Sequence, residues 1–443
     1  MPNHVALLSV PGLREKDVQR MKRLRGLAAG GEIAELVPSF PCVTCPVQAN
    51  MTTGCLPREH GIVANGLYWR DRRQVEMWTA PNDCVRRPQI WDVLHQRRPG
   101  LTSAAWFPLH SKEAGADYVC TPAPIHNPDG SESLWCYTKP EKLYGTLRDA
   151  LGHFALKHYW GPLAGIPSTA WIVDSAVYAA REFRPSFFYV YLPHLEYAAQ
   201  RTGPDSEPAL GAVDELDEVL GRLAEGFGEA FGDDLLWLVA GEYAIVPVEH
   251  VGYPNRVLRE AGLLAVREEA DGEHLDLDAS RAFALADHQL AHVFTSDADT
   301  AARVADAFRS QPGIAEVLTG DGRAKYALDH PRCGDVVLVS TPGSWQAYYW
   351  WLDDARAPAF ARTVDIHRKP GYDPVELCFD PATRSIPLDA GLIGGSHGAP
   401  ATSPSQRTVV LASEPGLFAA ETVRDTDLFG VVLRALGADE GAG

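Results

Sequence analysis

Basic residues are scarce in this sequence of 443 residues, which has 40 Lys and Arg against 58 Asp and Glu and a formal charge of −18 at pH 7. Binding to nucleic acid or to an anionic membrane surface depends on a surplus of Lys and Arg that neutralises phosphate groups. The deficit of basic residues therefore argues against both kinds of partner.

Cysteines are also few, eight in all, and their spacing is not that of a disulfide framework. Cys42 and Cys45 form one C-x-x-C pair, but no second pair completes a zinc site, so we interpret them as reduced, buried thiols. Long apolar runs are missing as well. The first run, Val5–Val10, is too short for a secretion signal or a membrane span. We therefore expect a cytoplasmic protein.

The sequence does contain enough apolar side chains, 46% of its residues, to bury a large core. Short apolar runs that predict buried strands alternate with stretches of helical period. These runs are residues 4–10, 101–107, 186–192, 235–240, 336–340 and 408–412. Such alternation predicts an α/β fold with three layers, α/β/α, around a mostly parallel central sheet. Ligands of such sheets bind beyond the carboxyl ends of the strands.

Two regions depart from this alternation and divide the chain into predicted domains. Residues 71–169 are rich in Trp, Tyr, Pro and His, and we predict a cap insertion there. Residues 247–334 predict a small, irregular subdomain that contains β-structure. The α/β core would then comprise residues 1–70, 170–246 and 335–437.

The segment with the most chemical potential runs from Pro38 to Gly66. Its prolines disfavour helix before Pro46, and a helix can begin at about Thr44. A hydroxyl at a helix N-terminus faces unpaired N–H groups and the positive end of the helix dipole, which suits a nucleophile that attacks an anion. Without further information, a simple capping role is the more common one for such a threonine.

The sequence as a whole resembles the alkaline phosphatase superfamily, in particular its nucleotide pyrophosphatase/phosphodiesterase and phosphonoacetate hydrolase branch. The resemblance rests on segments that follow one another in the family's order. They are Val10-Pro-Gly-Leu-Arg14, Pro38-Ser-Phe-Pro-Cys-Val-Thr44, Thr53-Gly-Cys-Leu-Pro-Arg-Glu-His-Gly-Ile-Val-Ala-Asn65, Val239-Ala-Gly-Glu242-Tyr243 and Gly394-Gly-Ser-His397-Gly. Bacterial members of the superfamily are similar around Asp287-His288-Gln289 and residues 365–374.

The resemblance implies that Thr44 is a covalent nucleophile and that Asn65 binds a phosphoryl oxygen. It also implies a phosphodiesterase- or pyrophosphatase-like hydrolase, or a phosphoryl-transfer enzyme, that acts on a small anionic metabolite. Family members hold two metal ions, usually zinc, which bind the attacking and leaving oxygens.

The metal ligands implied by the resemblance are only partly present. At the metal site beside the nucleophile, Pro11 replaces an Asp and has no donor side chain, and Glu242-Tyr243 replaces an Asp-His pair. At the other site, Glu196 and Gln200 replace an Asp and a His. Tyr is a rare ligand for zinc and Gln a weak one, so these residues do not assemble the usual two-zinc site.

Two alternatives to the usual pair of ions stay open: a single bound ion, or no metal at all. The late histidine of the family is retained as His397, which could hold a single zinc or other divalent ion together with Glu196 and either His367 or His194. Glu242 is a further candidate ligand. If no cation lies between Glu242 and Glu196, we expect one of them to be protonated or turned away.

Other polar residues have weaker claims. Arg368 and Lys369, beside a Pro-Gly turn, could bind an anion in an otherwise acidic protein. His288 and His292 could be ligands, but histidines in an aromatic-rich protein are more often structural, and we favour that interpretation.

Three functional hypotheses follow. The first is a hydrolase or transferase that uses Thr44. The second is a catalytically degenerate protein that binds an anionic ligand, and the third is metal-independent acid and base chemistry by Tyr243, Glu242 and His397. In each case we expect a small anionic molecule as the partner, while a homodimer remains open.

Overall fold

The computed structural model describes residues 2–127 and 132–439. Its α-helices are α1 (Glu15–Arg20), α2 (Lys22–Leu27), α3 (Thr44–Thr53), α4 (Pro57–His60), α5 (Ile90–Arg97), α6 (Leu143–Leu151), α7 (Ile166–Phe183), α8 (His194–Thr202), α9 (Glu207–Phe231), α10 (Pro254–Glu260), α11 (Ala298–Phe308) and α12 (Asp427–Ala435).

Its strands are β1 (His4–Val10), β2 (Glu32–Val37), β3 (Gly66–Trp69), β4 (Gln74–Met77), β5 (Ser103–Trp106), β6 (Tyr118–Pro122), β7 (Ile125–His126), β8 (Glu132–Ser133), β9 (Cys136–Lys139), β10 (Phe187–Tyr191), β11 (Leu235–Gly241), β12 (Val246–Pro247), β13 (His250–Gly252), β14 (Ala265–Glu269), β15 (Gly272–Asp276), β16 (Ala282–Asp287), β17 (Leu290–Thr295), β18 (Ile314–Thr319), β19 (Val336–Ser340), β20 (Ser344–Gln346), β21 (Gly395–Ser396), β22 (Thr408–Ala412) and β23 (Thr422–Arg424).

The central sheet of the described chain has nine strands in the order β23-β2-β22-β11-β1-β10-β5-β6-β9. Strands β11, β1, β10, β5 and β6 run parallel to one another. Strand β9 pairs antiparallel with β6, and β22 lies antiparallel between β11 and β2. Strand β1 is buried from Val5 to Val10, as expected for a strand covered on both faces. The predicted α/β class with a mostly parallel sheet is confirmed.

The helices pack in two groups, as a sheet covered on both faces requires. Helices α1, α2, α7 and α8 contact the long helix α9, whereas α3 and α5 contact α12. Helix α9 buries one face, which includes Leu216, Leu220 and Leu223, and its N-terminus is capped by the Ser206 hydroxyl, which accepts from the backbone N–H of Ala209. Helix α3 is different, because all ten of its residues are buried.

A separate four-stranded antiparallel sheet has the order β16-β17-β19-β18 and its own apolar core. Strand β19, predicted as part of the α/β core, belongs to this smaller sheet. Conversely, β5, β6 and β9 lie in the range predicted as a cap but pair within the central sheet. The predicted boundaries at residues 71–169 and 247–334 therefore do not follow the sheets, because strand partners distant in sequence leave no local signal.

Strands β11, β1 and β10 are parallel neighbours, so their carboxyl ends meet at one edge of the sheet. The chain continues from β11 to Glu242 and Tyr243, and from β10 to helix α8. Within the described residues, no helix has the length and apolar character that a bilayer span needs. All eight cysteines are free, and Cys42 and Cys45 are buried.

Candidate active site

Thr44 lies at this edge as the first residue of helix α3 and is only 2% exposed. Its Oγ1 shares a hydrogen bond of 2.7 Å with the hydroxyl of Tyr243, which follows β11. The Tyr243 hydroxyl donates in turn to Oε1 of Glu196, at 3.0 Å. Because Tyr243 has one hydroxyl hydrogen and directs it to a carboxylate, Thr44 donates to the Tyr243 oxygen. The predicted nucleophile is thus linked through Tyr243 to Glu196.

Glu196 is the centre of the site's hydrogen-bond network. It stands one turn before Gln200 on helix α8, and the Gln200 amide donates to Glu196 Oε1 at 2.8 Å. The hydroxyl of Tyr372 donates to Gln200 Oε1 at 2.6 Å. The third contact of Glu196, after those of Tyr243 and Gln200, comes from His397, whose Nε2 lies 3.2 Å from Glu196 Oε1. The helix spacing explains why Glu196 and Gln200 are brought together.

Four rings follow one another in contact beside this network, in the order Tyr243, His397, His288 and Tyr372; each tyrosine stacks on its histidine, and the two imidazoles are tilted by 42°. The centroids of Tyr243 and His397 are 3.7 Å apart, those of His397 and His288 are 3.9 Å apart, and those of His288 and Tyr372 are 3.6 Å apart. The two tyrosines at its ends are the ones that hydrogen-bond Glu196 and Gln200. The stack therefore fixes the planes of both imidazoles.

His288 reaches the site from the smaller sheet. It lies in the two-residue turn between β16 and β17, in a left-handed conformation with φ 58°, and the turn is buried. Its Nδ1 is 2.7 Å from Oδ1 of Asp287, whereas Nε2 has no partner among the described residues. Burial lowers the pKa of His288 to about 4, and nearby His397 lowers it further. His288 is therefore neutral at pH 7, with its proton on Nδ1 and a lone pair on Nε2.

Asn65 connects Asp287 to the start of helix α3. Its backbone N–H and side-chain amide donate to the Asp287 carboxylate at 2.7 and 3.0 Å, and its Oδ1 accepts from the backbone N–H of Cys45 at 3.0 Å. Asn65 therefore contacts Cys45, the residue that follows Thr44 in helix α3. Its amide group is engaged within the protein, so its contact with a phosphoryl oxygen stays a prediction.

Glu242 occupies a separate, fully buried position next to Thr44's helix. Its Oε1 accepts from the Ser9 hydroxyl at 2.6 Å and from the Gln48 amide at 2.8 Å. Burial, with a contribution from the charge of Glu196, raises the pKa of Glu242 to about 8, although hydrogen bonds with Ser9, Gln48 and Thr44 lower it. Of the alternatives foreseen for the two glutamates, this raised pKa favours a protonated Glu242.

The position beside Thr44 offers fewer ligands for a second metal ion than the family pattern has. Pro11 offers no side-chain donor, and the Tyr243 hydroxyl is engaged with Thr44 and Glu196. Glu242 Oε2 is buried without a hydrogen-bond partner among the described residues, so this position offers one free carboxyl oxygen, whereas zinc sites usually have three or more good ligands. The interpretation of Glu242 as a metal ligand stays a prediction.

The other metal position does fit. One donor atom each from Glu196, His288 and His397 lies within 4.8 Å of the others, and all three residues are buried. Two of these candidate ligands, Glu196 and His397, are among those predicted from the sequence. The third was not His367, which is exposed and whose backbone N–H donates to Asp365. Nor was it His194, whose Nε2 lies 2.9 Å from Glu215 on helix α9.

The two predicted anion-binding cations are engaged elsewhere. Arg368 is exposed and paired with Asp365. Lys369 is 1% exposed, and its Nζ donates to the carboxylates of Asp373 and Glu376 and to the Thr363 carbonyl. These three acceptors use all the hydrogens of the ammonium group, so the geometry gives no support for anion binding by Lys369.

Sequence reasoning missed several residues of the site. Ser9, Gln48, Tyr372 and Asp287 each hydrogen-bond a residue of the site, and His288 was interpreted as structural. The adjacent pair Asp287-His288 was the one available signal, because a carboxylate that orients an imidazole is typical of metal sites. His292, on the same hairpin, is structural: its ring contacts the Val63 carbonyl and the Gly334 N–H.

The fold and site together are of the alkaline phosphatase type. A threonine lies at a buried helix N-terminus, and a carboxylate–histidine cluster lies beyond the central strands. The family described as type I phosphodiesterase / nucleotide pyrophosphatase matches residues 5–373. The chain belongs to this family, and the prediction of an alkaline phosphatase superfamily hydrolase is confirmed.

Individual relatives are distant. An uncharacterised pyrophosphatase/phosphodiesterase of Schizosaccharomyces pombe is 21% identical over 202 residues, which are 43% of this chain and 33% of that protein. Phosphonoacetate hydrolase from Sinorhizobium meliloti 1021, in complex with phosphonoacetate, superposes with a TM-score of 0.66 at 16% identity, over 98% of this chain and 96% of the other.

Murine ectonucleotide pyrophosphatase / phosphodiesterase 5 superposes with a TM-score of 0.63 at 14% identity, over 98% of this chain and 95% of the other. An inactive form of the murine protein, in which a threonine is replaced by alanine, was solved in complex with AMP and superposes equally well. At these identities the structural likeness shows a shared fold.

Proposed function

We propose that this chain hydrolyses, or transfers a phosphoryl group from, a small phosphodiester- or pyrophosphate-like metabolite, with Thr44 as the nucleophile. The observation that carries the proposal is the position of Thr44, which begins a buried ten-residue helix and donates its hydroxyl hydrogen toward Tyr243 and Glu196. An anionic phosphoryl group is favoured at the positive end of a helix dipole. The inactive threonine variant of the murine protein supports the same role for this residue type.

In the reaction, the Thr44 oxygen forms a bond to phosphorus while its proton passes to the Tyr243 oxygen and the Tyr243 proton passes to Glu196. The bond from phosphorus to the leaving oxygen breaks, and the leaving oxygen keeps the electron pair and takes up a proton. Water then hydrolyses the ester between Thr44 and the phosphoryl group, which releases the phosphoryl product and restores the hydroxyl. Tyr243 orients the Thr44 hydroxyl through their 2.7 Å hydrogen bond. A divalent ion held by Glu196, His288 and His397 would supply charge stabilisation to the phosphoryl oxygens.

Access to Thr44 requires movement, because the residue is buried. The hydroxyl of Tyr159 is buried in the protein, and this burial raises its pKa. The adjacent Trp160 packs against Tyr372 at a centroid distance of 5.6 Å. We infer that the segment around Tyr159 and Trp160 covers the site and must open to admit a substrate.

The second candidate function is binding of an anionic ligand without turnover. It is favoured by Tyr243, which stands in the position of a family metal ligand and hydrogen-bonds the nucleophile itself. Metal-independent acid and base chemistry by Tyr243, Glu242 and His397 belongs to the same alternative, since it also dispenses with the ion beside Thr44.

The test is a comparison of the parent and Thr44→Ala on bis-p-nitrophenyl phosphate and on a panel of nucleotide-sugar and dinucleotide substrates, with Zn²⁺ or Mn²⁺ added. We expect at least a 1000-fold lower kcat for Thr44→Ala, and an acid-quenched parent should carry a phosphoryl group on the peptide that contains Thr44. Thr52→Ala is the matched control. It removes a hydroxyl of the same helix, one that donates to the Gln48 carbonyl, and its kcat should stay near that of the parent. Equal rates for Thr44→Ala and the parent would refute the nucleophile, and binding without turnover would favour the second candidate.

A further inference from the structure

His397 faces two oxygens that can only accept hydrogen bonds. Its Nδ1 is 2.8 Å from the carbonyl of Cys42, so Nδ1 carries a hydrogen and donates it. Its Nε2 then has a lone pair directed at Oε1 of Glu196, 3.2 Å away, unless a second proton lies between them. A lone pair that faces a carboxylate is unfavourable, and a cation between the two atoms removes the repulsion. The separation of 3.2 Å is close to that of neighbouring ligands around an ion bound at about 2.1 Å.

His288 presents the same arrangement from the other side. Its Nδ1 is held by the Asp287 carboxylate at 2.7 Å, and its Nε2 is a buried acceptor without a partner among the described residues. An unsatisfied buried polar atom costs about 1–3 kcal/mol. A carboxylate behind Nδ1 is the usual support of a metal-binding imidazole, because it fixes the tautomer and makes Nε2 a better ligand.

Gln200 explains why His288 is needed. It stands where the family has a histidine ligand, but its amide nitrogen donates to Glu196 and its amide oxygen accepts from Tyr372. Gln200 therefore supports Glu196 and has no strong ligand atom to offer. Glu196, with this support, is the remaining carboxylate of the cluster.

We propose that Glu196, His288 and His397 form a site for a single divalent cation, in which His288 from the smaller sheet replaces the ligand lost at Gln200. The donor set of two imidazole nitrogens and one carboxylate oxygen suits zinc, and it leaves a position open for an oxygen of the substrate. The site deepens the proposed function, on which its catalytic meaning rests, but the binding of the ion is independent of turnover.

The experiment measures metal content and ligand type directly. The purified protein is stripped with a chelator, equilibrated with Zn²⁺, desalted and analysed by elemental mass spectrometry, and X-ray absorption at the zinc edge counts the ligands. We expect one zinc per chain with two imidazole ligands and no sulfur. His288→Gln and Glu196→Gln should each lower the affinity at least 100-fold, while their circular dichroism stays that of the parent.

His194→Gln and His367→Gln are the matched controls, because each removes a histidine that was also a candidate ligand, and both should bind zinc as the parent does. Zinc content near zero or near two in the parent, fewer than two imidazoles in its absorption spectrum, or unchanged affinity of a folded His288→Gln would overturn the site. The parent spectrum decides the matter even if a variant fails to fold.

Thr44→Ala separates this site from the proposed function. It should bind one zinc while losing turnover. Zinc binding with full turnover in Thr44→Ala would refute the nucleophile and support the metal site. If Thr44→Ala loses turnover but the parent contains no zinc, the metal site is refuted and the nucleophile is supported.

Discussion

Tyr243 and His397 stack face to face, with centroids 3.7 Å apart and planes inclined by only 7°. Tyr243 stands where the resemblance places the histidine of an Asp-His ligand pair, and here it joins Thr44 to Glu196 by hydrogen bonds. One aromatic residue thus positions the predicted nucleophile with its hydroxyl and the proposed metal ligand His397 with its ring.

Tyr243→Phe separates these two roles, because it keeps the ring stack and removes the hydroxyl. Thr44 and Glu196 each lose one hydrogen bond, which is worth about 1–3 kcal/mol for a buried group. We expect kcat to fall about 10- to 100-fold with KM within about twofold, since the effect is on the orientation of Thr44. Steady-state kinetics on the best substrate of the panel measures both constants.

Tyr372→Phe is the comparison for this prediction. It removes a buried hydroxyl from the opposite end of the ring stack, where the partner is Gln200 rather than Thr44. Urea denaturation should show similar losses of stability for the two variants, whereas kcat should fall less in Tyr372→Phe. An equal drop in kcat would mean that Tyr243 acts only through general packing of the site.

Glu242 predicts a pH dependence of stability. Burial raises the pKa of its carboxyl from 4.5 in the unfolded chain to about 8 in the fold. Because the folded state keeps the proton at higher pH, the stabilising contribution is complete below pH 4.5 and is lost as the pH rises to about 8. A shift of this size corresponds to a few kcal/mol, on the order of 1.4 kcal/mol per pH unit.

Glu242→Gln removes this titration while it keeps the size and an oxygen acceptor for Ser9 and Gln48. The difference in unfolding free energy between variant and parent should therefore grow in favour of the variant between pH 5 and pH 8. Urea denaturation at half-unit pH steps measures it, and other titrating groups cancel in the difference. A difference that does not change with pH would mean that Glu242 is ionised in the fold.

Much of the central sheet was predictable because each buried strand is a local apolar run. The runs predicted at residues 4–10, 235–240 and 408–412 correspond to β1, β11 and β22. The strands at one end of the sheet, β6 and β9, were not predicted, since β6 is only partly buried and both carry polar residues.

Glu196 and Gln200 were named from the family resemblance, and their spacing of one turn on α8 explains why they meet. The site was not predictable where distant segments meet. His288 enters from a hairpin of another sheet, and its distance from Glu196 along the chain carries no signal. Its positive φ and buried turn follow from packing against the site, which only the folded chain shows.

Trp160→Ala should make the site easier to open. The indole packs on Tyr372 and donates to Glu376, so its removal loses one aromatic contact and one hydrogen bond. Together these are worth about 1–2 kcal/mol. We expect amide hydrogen exchange in helix α8 to become about tenfold faster, with Trp135→Ala, at an indole that is 37% exposed, as the control. Unchanged exchange in α8 would mean that Trp160 does not hold the cover closed.

Lys369 and Arg368 are neighbours with opposite environments, and two matched variants distinguish a structural from an anion-binding role. Lys369→Met leaves the buried carboxylates of Asp373 and Glu376 without their cation, which should cost about 3–5 kcal/mol in urea denaturation. Arg368→Met removes an exposed ion pair with Asp365 and should cost less than about 1 kcal/mol. If these cations bound the substrate anion, Arg368→Met would raise KM severalfold without loss of stability. We expect KM to stay within twofold, because the Arg368 guanidinium is held by Asp365 and lies over the ring of Phe360.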